Sequence, residues 1–479
     1  MEPHPTGLRQ PKRSGDIMIA TTGSGERSPL MIIEELVQDR ARALGLDLAV
    51  AGGHNRLREI VQSEIANWRL AYQQGHRSHD IIDPEILRDR ALRNIAGYGP
   101  LESLLADDDV YEIMINAPSQ IFVKRHSGHG GYHDEVFHDD EHVTRTLTKI
   151  LDDAGSAHRK LDPSEGLQDA QLESGARLHI VHSDIGRDGH TIVNIRKFTG
   201  VSVSSMDELV ERDMLGPEVA TFLRACVRAK STVVFAGAPG SGKTTMLSCC
   251  AAELDPSLRV VIAEEVFEAD IPLANVASMQ TRPSRADRRE VDLRRLVAGF
   301  LRMAPDIAIV GEVRDREVLP LLLTLSSGVK GFTTLHAGSA RQALSRLRFI
   351  AQLADTSNEL PMSALNALIS EAVDLVVHCA RTPIGLRVME IIAVEEQQTT
   401  LDSTAFTVTE LFRRPRPDAD LCWTGNIPVR LQRLVESAGI DLLPILASAP
   451  PWPSGQRLSG SVLGPLHHVV GRLSEADPR

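Results

Sequence analysis

Hydrophobic and polar residues alternate along this chain with two different periodicities, one typical of helices and one typical of strands. Before residue 98 the apolar residues recur at helical spacing, which predicts two amphipathic helices around residues 32–44 and 57–68. A third helix is predicted after Asp83, because Pro84 suits the first position of a helix. The apolar stripes of the first two helices either pack inside the protein or dock a partner, and the pattern leaves both readings open.

From Tyr98 onwards strand patterns mix with helical ones. Residues 110–116 alternate between apolar and polar, and 121–125 follow after a turn. A helix is predicted over 141–153, and two further strands over 177–182 and 191–198, joined by a loop that contains glycine. These elements predict a small α+β domain, followed by a linker at 199–205.

Strands and helices then alternate regularly. After a helix at 217–228, the predicted strands are 232–236, 259–264, 306–311, 331–335, 373–378 and 386–394. Several of these strands are entirely apolar, which is typical of a parallel sheet covered on both faces. We therefore predict a doubly wound α/β domain with its functional site at the carboxyl ends of the strands.

These patterns divide the chain into five predicted parts. They are a disordered leader over 1–28, a helical segment over 29–97, the α+β domain over 98–199, the doubly wound domain over 206–400 and a C-terminal extension over 401–479. The extension is rich in Pro, Gly and Ser from Ser448 on and is expected to be loose.

Composition narrows the function. A net charge of −12 and an aromatic content of 4% disfavour a protein that wraps nucleic acid. The five cysteines form no C-x-x-C pair, so neither a disulfide framework nor a zinc site is expected. No apolar run approaches the ~18 residues of a membrane span. We expect a cytoplasmic protein without direct membrane insertion, which reaches a membrane only through partners.

One segment carries explicit chemistry. It fits G-x-x-x-x-G-K-[ST], the phosphate-binding loop that cradles ATP or another nucleotide, and reads Gly237-Ala238-Pro239-Gly240-Ser241-Gly242-Lys243-Thr244-Thr245. Gly240 and Gly242 let the backbone approach an anion at a helix N-terminus. Lys243 is expected to reach the β and γ phosphates, and the hydroxyl of Thr244 to bind Mg²⁺.

Polar residues end the next predicted strands. Glu264, Glu265 and Glu268 either polarise a water or hold a metal, or they form a solvated helix start. Glu312 ends the strand that follows and is expected to face the metal and the water. His336 ends a further strand and is either a sensor of the γ-phosphate or a structural residue.

In this order the motifs resemble the ATPases of type II and type IV secretion systems and of type IV pili. That family carries a Walker A loop, an acidic box, a Gly-Glu-x-Arg Walker B motif and a histidine box, which correspond here to residues 237–245, 264–268, 311–315 and 333–340. Segments 98–102, 110–116, 194–198 and 280–283 are similar to the CpaF-type ATPases that assemble tight-adherence (Flp) pili. The resemblance covers about residues 84–400, and it is weak beyond them.

Three features depart from that family's pattern. The acidic box usually reads Ile-Glu-Asp and here reads Ala263-Glu264-Glu265, which moves the second charge by one methylene. A loop that usually contains Pro-Pro is replaced by residues 183–190. The tetracysteine element of the general secretion ATPases is missing from the sequence.

The resemblance implies a homohexamer with a RecA-like catalytic domain that hydrolyses ATP with Mg²⁺. It implies that Arg177 and Arg196 of the α+β domain reach the nucleotide as arginine fingers, and that Arg282 contacts phosphate or a neighbouring subunit. Glu264 is expected to activate water, Glu312 to lie on the metal side and His336 to sense the γ-phosphate. An inner-membrane platform protein is the expected partner.

Four alternatives stay open. A conjugative type IV secretion ATPase shares the same core motifs. A RecA-like nucleic-acid motor is disfavoured by the acidic charge, and a GTPase by the lack of an Asn-Lys-x-Asp guanine-reading motif. A binding module with an inactive site is the fourth, although every catalytic position is filled.

Overall fold

The fold is described from a computed structural model over residues 27–48, 50, 52–126, 130–153, 161–172, 175–197, 203–282, 289–354, 360–396 and 405–453. The chain divides into two compact units, residues 1–200 and 201–479. The predicted leader up to residue 26, linker residues 199–202, Phe198, Pro283 and the tail from 454 on lie outside the described residues.

Three helices open the first unit: α1 (Pro29–Ala43), α2 (Gly53–Gln73) and α3 (Pro84–Ala96). The side chain of Ser28 caps α1 and that of Asp83 caps α3, where Pro84 takes the first turn as predicted. The apolar stripes of the helices are buried in one common cluster. Of the two readings of these stripes, the structure shows packing within the protein.

An antiparallel sheet forms the rest of this unit, with α4 (Leu101–Ala106) and α5 (Asp140–Asp153). Its strands are β1 (Val110–Ala117), β2 (Gln120–Arg125), β3 (Gly131–Tyr132), β4 (Leu167–Gln171), β5 (Arg177–Val181) and β6 (Ile192–Arg196). They lie in the order β3-β2-β1-β6-β5-β4. The four predicted strands are present. β3 and β4 were not predicted, since β3 has two residues and β4 carries polar residues such as Gln168 and Asp169.

A buried polar cluster links the helices to the sheet side of this unit. The carboxylate of Glu34 in α1 accepts a hydrogen bond from Asn94 Nδ2 in α3 at 2.7 Å and pairs with His138 Nε2 at 2.9 Å. Burial lowers the pKa of the neighbouring His142 to about 3. Because such groups are costly to bury without partners, this cluster fixes one arrangement of the segments that it joins.

The second unit contains nine helices among the described residues. They are α6 (Met206–Glu211), α7 (Pro217–Arg228), α8 (Lys243–Ala252), α9 (Leu293–Ala298), α10 (Val318–Ser326), α11 (Ala340–Ala354), α12 (Met362–Ala372), α13 (Val429–Ser437) and α14 (Leu442–Ser448). No helix in the described part of the chain combines the length and the apolar character that a membrane crossing needs.

One mixed sheet crosses this unit. Its strands are β7 (Val233–Gly237), β8 (Val260–Glu264), β9 (Val276–Gln280), β10 (Ile307–Val310), β11 (Lys330–Leu335), β12 (Leu375–Thr382), β13 (Gly385–Val394), β14 (Val408–Arg413) and β15 (Cys422–Trp423). The order is β15-β14-β13-β12-β7-β11-β10-β8-β9. The six strands from β12 to β9 are parallel, and β13 to β15 continue antiparallel.

Successive residues of the central strands enter two different cores, as a sheet covered on both faces requires. Val233 and Phe235 join one cluster, whereas Val234 and Ala236 join the other. The mixed α/β class predicted from the sequence is confirmed. β9, β14 and β15 were not predicted, because these strands, which lie at or next to the sheet edges, are half-buried and have a weak apolar pattern.

Candidate functional site

The loop between β7 and α8 takes the form that a phosphate cradle needs. The Ser241 N–H donates to the carbonyl of Ala238 at 3.2 Å, which closes a tight turn with Pro239 and Gly240 at its centre. Gly240 (φ 69°) and Gly242 (φ 88°) lie in the left-handed region, which glycine enters at no steric cost. The two glycines are therefore required by the backbone of the loop.

Close packing around the loop also requires a glycine at position 237. A Cβ on Gly237 would lie 2.3 Å from the carbonyl oxygen of Cys379 and 2.3 Å from the hydroxyl of Ser241. Ser241 is fully buried, and its hydroxyl has no hydrogen-bond partner among the described residues. A buried polar atom of this kind is expected to bond to a ligand or to water.

The start of α8 suits an anion. No side chain caps this helix and no acidic residue lies in its first turn, so its positive end faces the loop. Lys243 opens the helix, followed by the half-buried Thr244 and Thr245. The Thr244 hydroxyl lies 3.5 Å from a carboxylate oxygen of Glu268. With the glycine turn and the buried Ser241 hydroxyl, these residues fit a nucleotide phosphate and its metal ion.

Lys243 lies beside the predicted histidine. Its ammonium donates to the Ala238 carbonyl at 3.0 Å and lies 3.3 Å from Nδ1 of His336. Nε2 of His336 contacts a carboxylate oxygen of Glu312 at 2.8 Å. Nδ1 of His336 also lies 3.2 Å from the carbonyl oxygen of Gly237, so this nitrogen faces both a donor and an acceptor at the phosphate loop. His336 therefore connects the phosphate loop with the strand end that carries Glu312.

Glu312 is held as an anion. Burial raises the pKa of this carboxyl group, but hydrogen bonds from His336 and Arg314 outweigh it and hold the pKa at about 2. Arg314 donates to both oxygens of Glu312, at 2.7 and 2.9 Å, and to Glu265 at 2.6 Å. These bonds raise the pKa of Arg314 above its ordinary value. A carboxylate with such a low pKa is a poor proton acceptor and a good partner for positive charge.

Glu264 lies deeper than Glu312. Its side chain is 2% exposed, and Oε1 accepts the backbone N–H groups of Glu268 at 3.1 Å and Ala269 at 3.0 Å. A Cβ on Gly311 would lie 2.8 Å from Cγ of Glu264. Gly311 thus gives Glu264 its space beside the strand end that carries Glu312.

Arg282 lies just beyond β9. The N–H of Thr281 donates to the Glu264 carbonyl at 3.0 Å. An isolated antiparallel β-bridge joins Arg282 to Val291. The Arg282 guanidinium donates to the carbonyl of Arg289 at 3.1 Å. The predicted role of Arg282 toward phosphate or a neighbouring subunit stays a prediction.

Arg177 and Arg196 belong to the first unit. They are direct cross-strand partners in the β5–β6 pair, so their side chains emerge on the same face of that sheet. On the other side of β6, Glu112 of β1 is the cross-strand partner of Arg196. Burial raises the pKa of the Glu112 carboxyl group, but hydrogen bonds from Lys124 and Asn194 and the charge of Arg196 outweigh burial, so the pKa is lowered. The sequence placed both arginines on strands, and the structure pairs them.

Two arginines of the second unit were given no role by sequence reasoning. Arg314 stands inside the Gly-Glu-x-Arg motif, and its spacing from Glu312 could have suggested the contact. Arg381 donates through Nε to the Gly240 carbonyl at 3.1 Å, although it is 141 residues away in sequence. Nothing in the local pattern around Arg381 indicates that contact.

The site combines a strand, a glycine turn, a helix that opens with Lys-Thr and a carboxylate at the end of β10, which β11 separates from β7. Together these features define the class as a P-loop nucleoside triphosphatase. Comparison with known proteins identifies the family. The family model for the type II/IV secretion system protein matches residues 94–412, which is more than half of the chain.

Several known proteins are similar to this chain in sequence or in structure. A putative conjugal transfer protein of Mycobacterium tuberculosis is 30% identical over 325 residues, which cover 66% of this chain and 90% of the relative. The conjugal transfer protein TrbB of Rhizobium radiobacter is 30% identical over 306 residues, covering 61% and 85%. The crystal structure of the VirB11 ATPase of the Brucella suis type IV secretion system matches at 25% identity and a TM-score of 0.33, covering 61% and 94%.

The chain belongs to the type II/IV secretion system protein family. With the phosphate loop described above, it is an ATP hydrolase of that secretion family. The family predicted from the ordered motifs is therefore confirmed, whereas the CpaF-type assignment stays a prediction.

Replacing Gly311 by Ala should lower ATP turnover by on the order of 10²-fold with the fold retained, because the added methyl displaces Glu264 from its buried position. Gly311 has no left-handed φ, so the effect is one of space alone. The measurement is steady-state hydrolysis, together with the urea unfolding midpoint. Gly216→Ala is the matched control, since the nearest atom to its new methyl is a side-chain oxygen of Glu218 at 3.2 Å. Turnover equal to that of the Gly216 variant would contradict the role of this close contact.

Proposed function

We propose that this protein is the homohexameric motor that hydrolyses Mg²⁺·ATP to drive assembly of a type IV (Flp) pilus or protein secretion. The observation that carries the proposal is the chain of contacts from Lys243 through His336 to Glu312. These contacts support the proposal, because phosphoryl transfer uses a cation near the phosphates and an anion on the metal side, and His336 lies between the two.

In this proposal the loop residues hold the nucleotide. The backbone from Gly240 to Thr245 and the buried Ser241 hydroxyl bind the phosphates, and Lys243 turns from the Ala238 carbonyl toward them. Thr244 and Glu312 would hold Mg²⁺, which when bound spreads the charge that develops on the transferred phosphoryl group. The low pKa of Glu312 supports a role toward cations, because the carboxylate stays charged at any physiological pH.

Glu264 is proposed to orient and activate the attacking water. One of its oxygens is fixed by two backbone N–H groups, so the carboxylate is held in one orientation. Preorganisation of this kind lowers the cost of aligning water for in-line attack. His336 is proposed to sense the γ-phosphate, since a phosphate that draws Lys243 away also removes one of the contacts of the imidazole.

Arg177 and Arg196 are proposed to act as arginine fingers on nucleotide bound to the second unit. Their direct pairing across the β5–β6 ladder brings both guanidinium groups to one face of the sheet, where a single anion could contact both. Fingers of this kind act when domains close, which gives the hexameric ring its part in the reaction. Arg282 is proposed to contact phosphate or the next subunit.

Conjugative type IV secretion is the second candidate. The conjugal transfer proteins of Mycobacterium tuberculosis and Rhizobium radiobacter, among the relatives found, favour it. In either case we propose a cytoplasmic location and contact with an inner-membrane platform protein. A nucleic-acid motor is less favoured, because the net charge is −12. DNA-stimulated hydrolysis would revive that reading.

Lys243→Ala should abolish ATP hydrolysis and weaken ADP binding, because the variant removes the cation from the phosphate loop. Hydrolysis and equilibrium binding of ADP are measured on the full chain. Lys149→Ala is the control, since this lysine pairs with Asp153 on a helix of the first unit and its loss changes the net charge equally. Turnover by the Lys243 variant at the rate of the control would refute the assignment of the loop.

Arg177→Ala and Arg196→Ala should each lower the turnover number by about 10³-fold and leave ADP affinity unchanged, because a finger acts in the transition state. Specific activity of the wild type should rise with protein concentration as rings assemble, and sedimentation measures that assembly. Arg187→Ala is the control, since this arginine is almost fully exposed on a loop of the same unit.

A monomeric species that hydrolyses ATP as fast as the largest assembly would contradict the closing-ring mechanism. So would arginine variants that match the Arg187 control in turnover. The protein would then act as a self-contained hydrolase.

A further inference from the structure

The β12–β13 hairpin touches the phosphate loop at both of its ends. At the start of the loop, the carbonyl oxygen of Cys379 occupies the space next to Gly237, 2.3 Å from where a Cβ would lie. At its end, Cδ1 of Leu386 lies 3.1 Å from the corresponding position on Gly242. The hairpin therefore forms a wall along the loop, although it follows the loop by more than a hundred residues.

Between these two contacts a side chain of the hairpin bonds to the loop itself. The Nε–H of Arg381 donates to the carbonyl of Gly240 at 3.1 Å. Nε and one terminal nitrogen of the same guanidinium lie 4.0 Å from the position of a Cβ on Gly240. Arg381 is exposed, so this contact adds a cation at the open side of the loop.

The bonded carbonyl belongs to a peptide group that is held at both ends. Because a peptide is planar, fixing the Gly240 carbonyl also fixes the direction of the Ser241 N–H. That N–H donates to the Ala238 carbonyl at 3.2 Å and closes the turn. A type II turn requires a positive φ at its third position, which Gly240 provides, and proline is common at its second position. Arg381 thus braces the turn from outside while the N–H of Ser241 closes it from inside.

We propose that Arg381 is a positioning residue of the nucleotide site, which holds the Ala238–Ser241 turn so that the following N–H groups face the phosphates. This inference rests on the proposed function of the loop. A braced loop binds phosphate without first losing conformational freedom, and the benefit is equal in the ground state and in the transition state. Loss of the brace should therefore weaken binding and leave the chemical step nearly unchanged.

The charge of Arg381 could also attract ATP without any bond to Gly240, and ionic strength separates the two effects. Attraction between exposed charges is screened in 0.5 M salt, where the Debye length is only about 4 Å, whereas loss of the brace is not. Arginine and lysine also differ, since lysine keeps the charge but has no N–H at the Nε position.

The experiment compares Arg381→Ala and Arg381→Lys with the wild type in the full chain. We expect Kd for ADP and KM for ATP to rise about fivefold in the alanine variant, equally at 0.1 and 0.5 M salt, with kcat within about twofold. The lysine variant should recover less than half of that loss on a logarithmic scale. Arg416→Ala, which removes an exposed arginine paired with Asp418, is the matched control for charge.

Three results would overturn the proposal: binding by Arg381→Ala equal to that of the Arg416 control, a loss that vanishes in 0.5 M salt, or a fall in kcat of tenfold or more at unchanged Kd. Unchanged urea midpoints would confirm that the variants are folded. If the wild type itself neither bound ADP nor hydrolysed ATP, the proposed function would fail. If Lys243→Ala lost binding and Arg381→Ala did not, the failure would concern the brace alone.

Discussion

The hydrogen bond between His336 and Glu312 is the contact on which the rest of the site depends. The two side chains stand at the ends of neighbouring parallel strands, β11 and β10, and meet at 2.8 Å. The carboxyl ends of parallel strands lie at the same edge of the sheet, so residues that directly follow β10 and β11 come close together there. On one side His336 meets Lys243 of the phosphate loop, and on the other Glu312 meets Arg314. The acidic box joins through Glu265, which makes a single charged network from four separate segments.

The fold was largely predictable because the periodic pattern is strong where the core is deep. The fully buried strands β7, β8 and β10 read as apolar runs, and Pro84 and Pro217 marked the starts of their helices. The pattern failed at the edges of the sheets and in the strands next to them. Strands such as β14 and β15 are only half-buried, so their stability comes from pairing with a neighbour that lies elsewhere in the sequence. The antiparallel pairing of β12 with β13 was not predicted either. A short turn joins the two strands, and the local pattern does not show that they pair with each other.

The site was predictable where chemistry requires consecutive residues. Backbone conformation demands Gly240 and Gly242, and the phosphate loop could be found from those residues and Lys243 alone. The contacts that tune the site could not be found in that way. The low pKa of Glu312 depends on a histidine 24 residues later, and the space for Glu264 depends on the missing side chain of Gly311. Such contacts are properties of strand order, which the sequence pattern does not specify. The hydrogen bond from Arg381 to the Gly240 carbonyl was equally unpredictable, because the two residues are 141 positions apart in the sequence.

The measurement that tests the charged network most directly is a double-mutant cycle on kcat between His336→Gln and Glu312→Gln at saturating ATP. If His336 and Glu312 act as one unit, each single variant lowers kcat and the double variant is no slower than the slower single. Retained ADP binding in all three variants would show that the loss lies in the chemical step. Losses that simply multiply would contradict the account, because they would show that the two side chains act independently despite their contact.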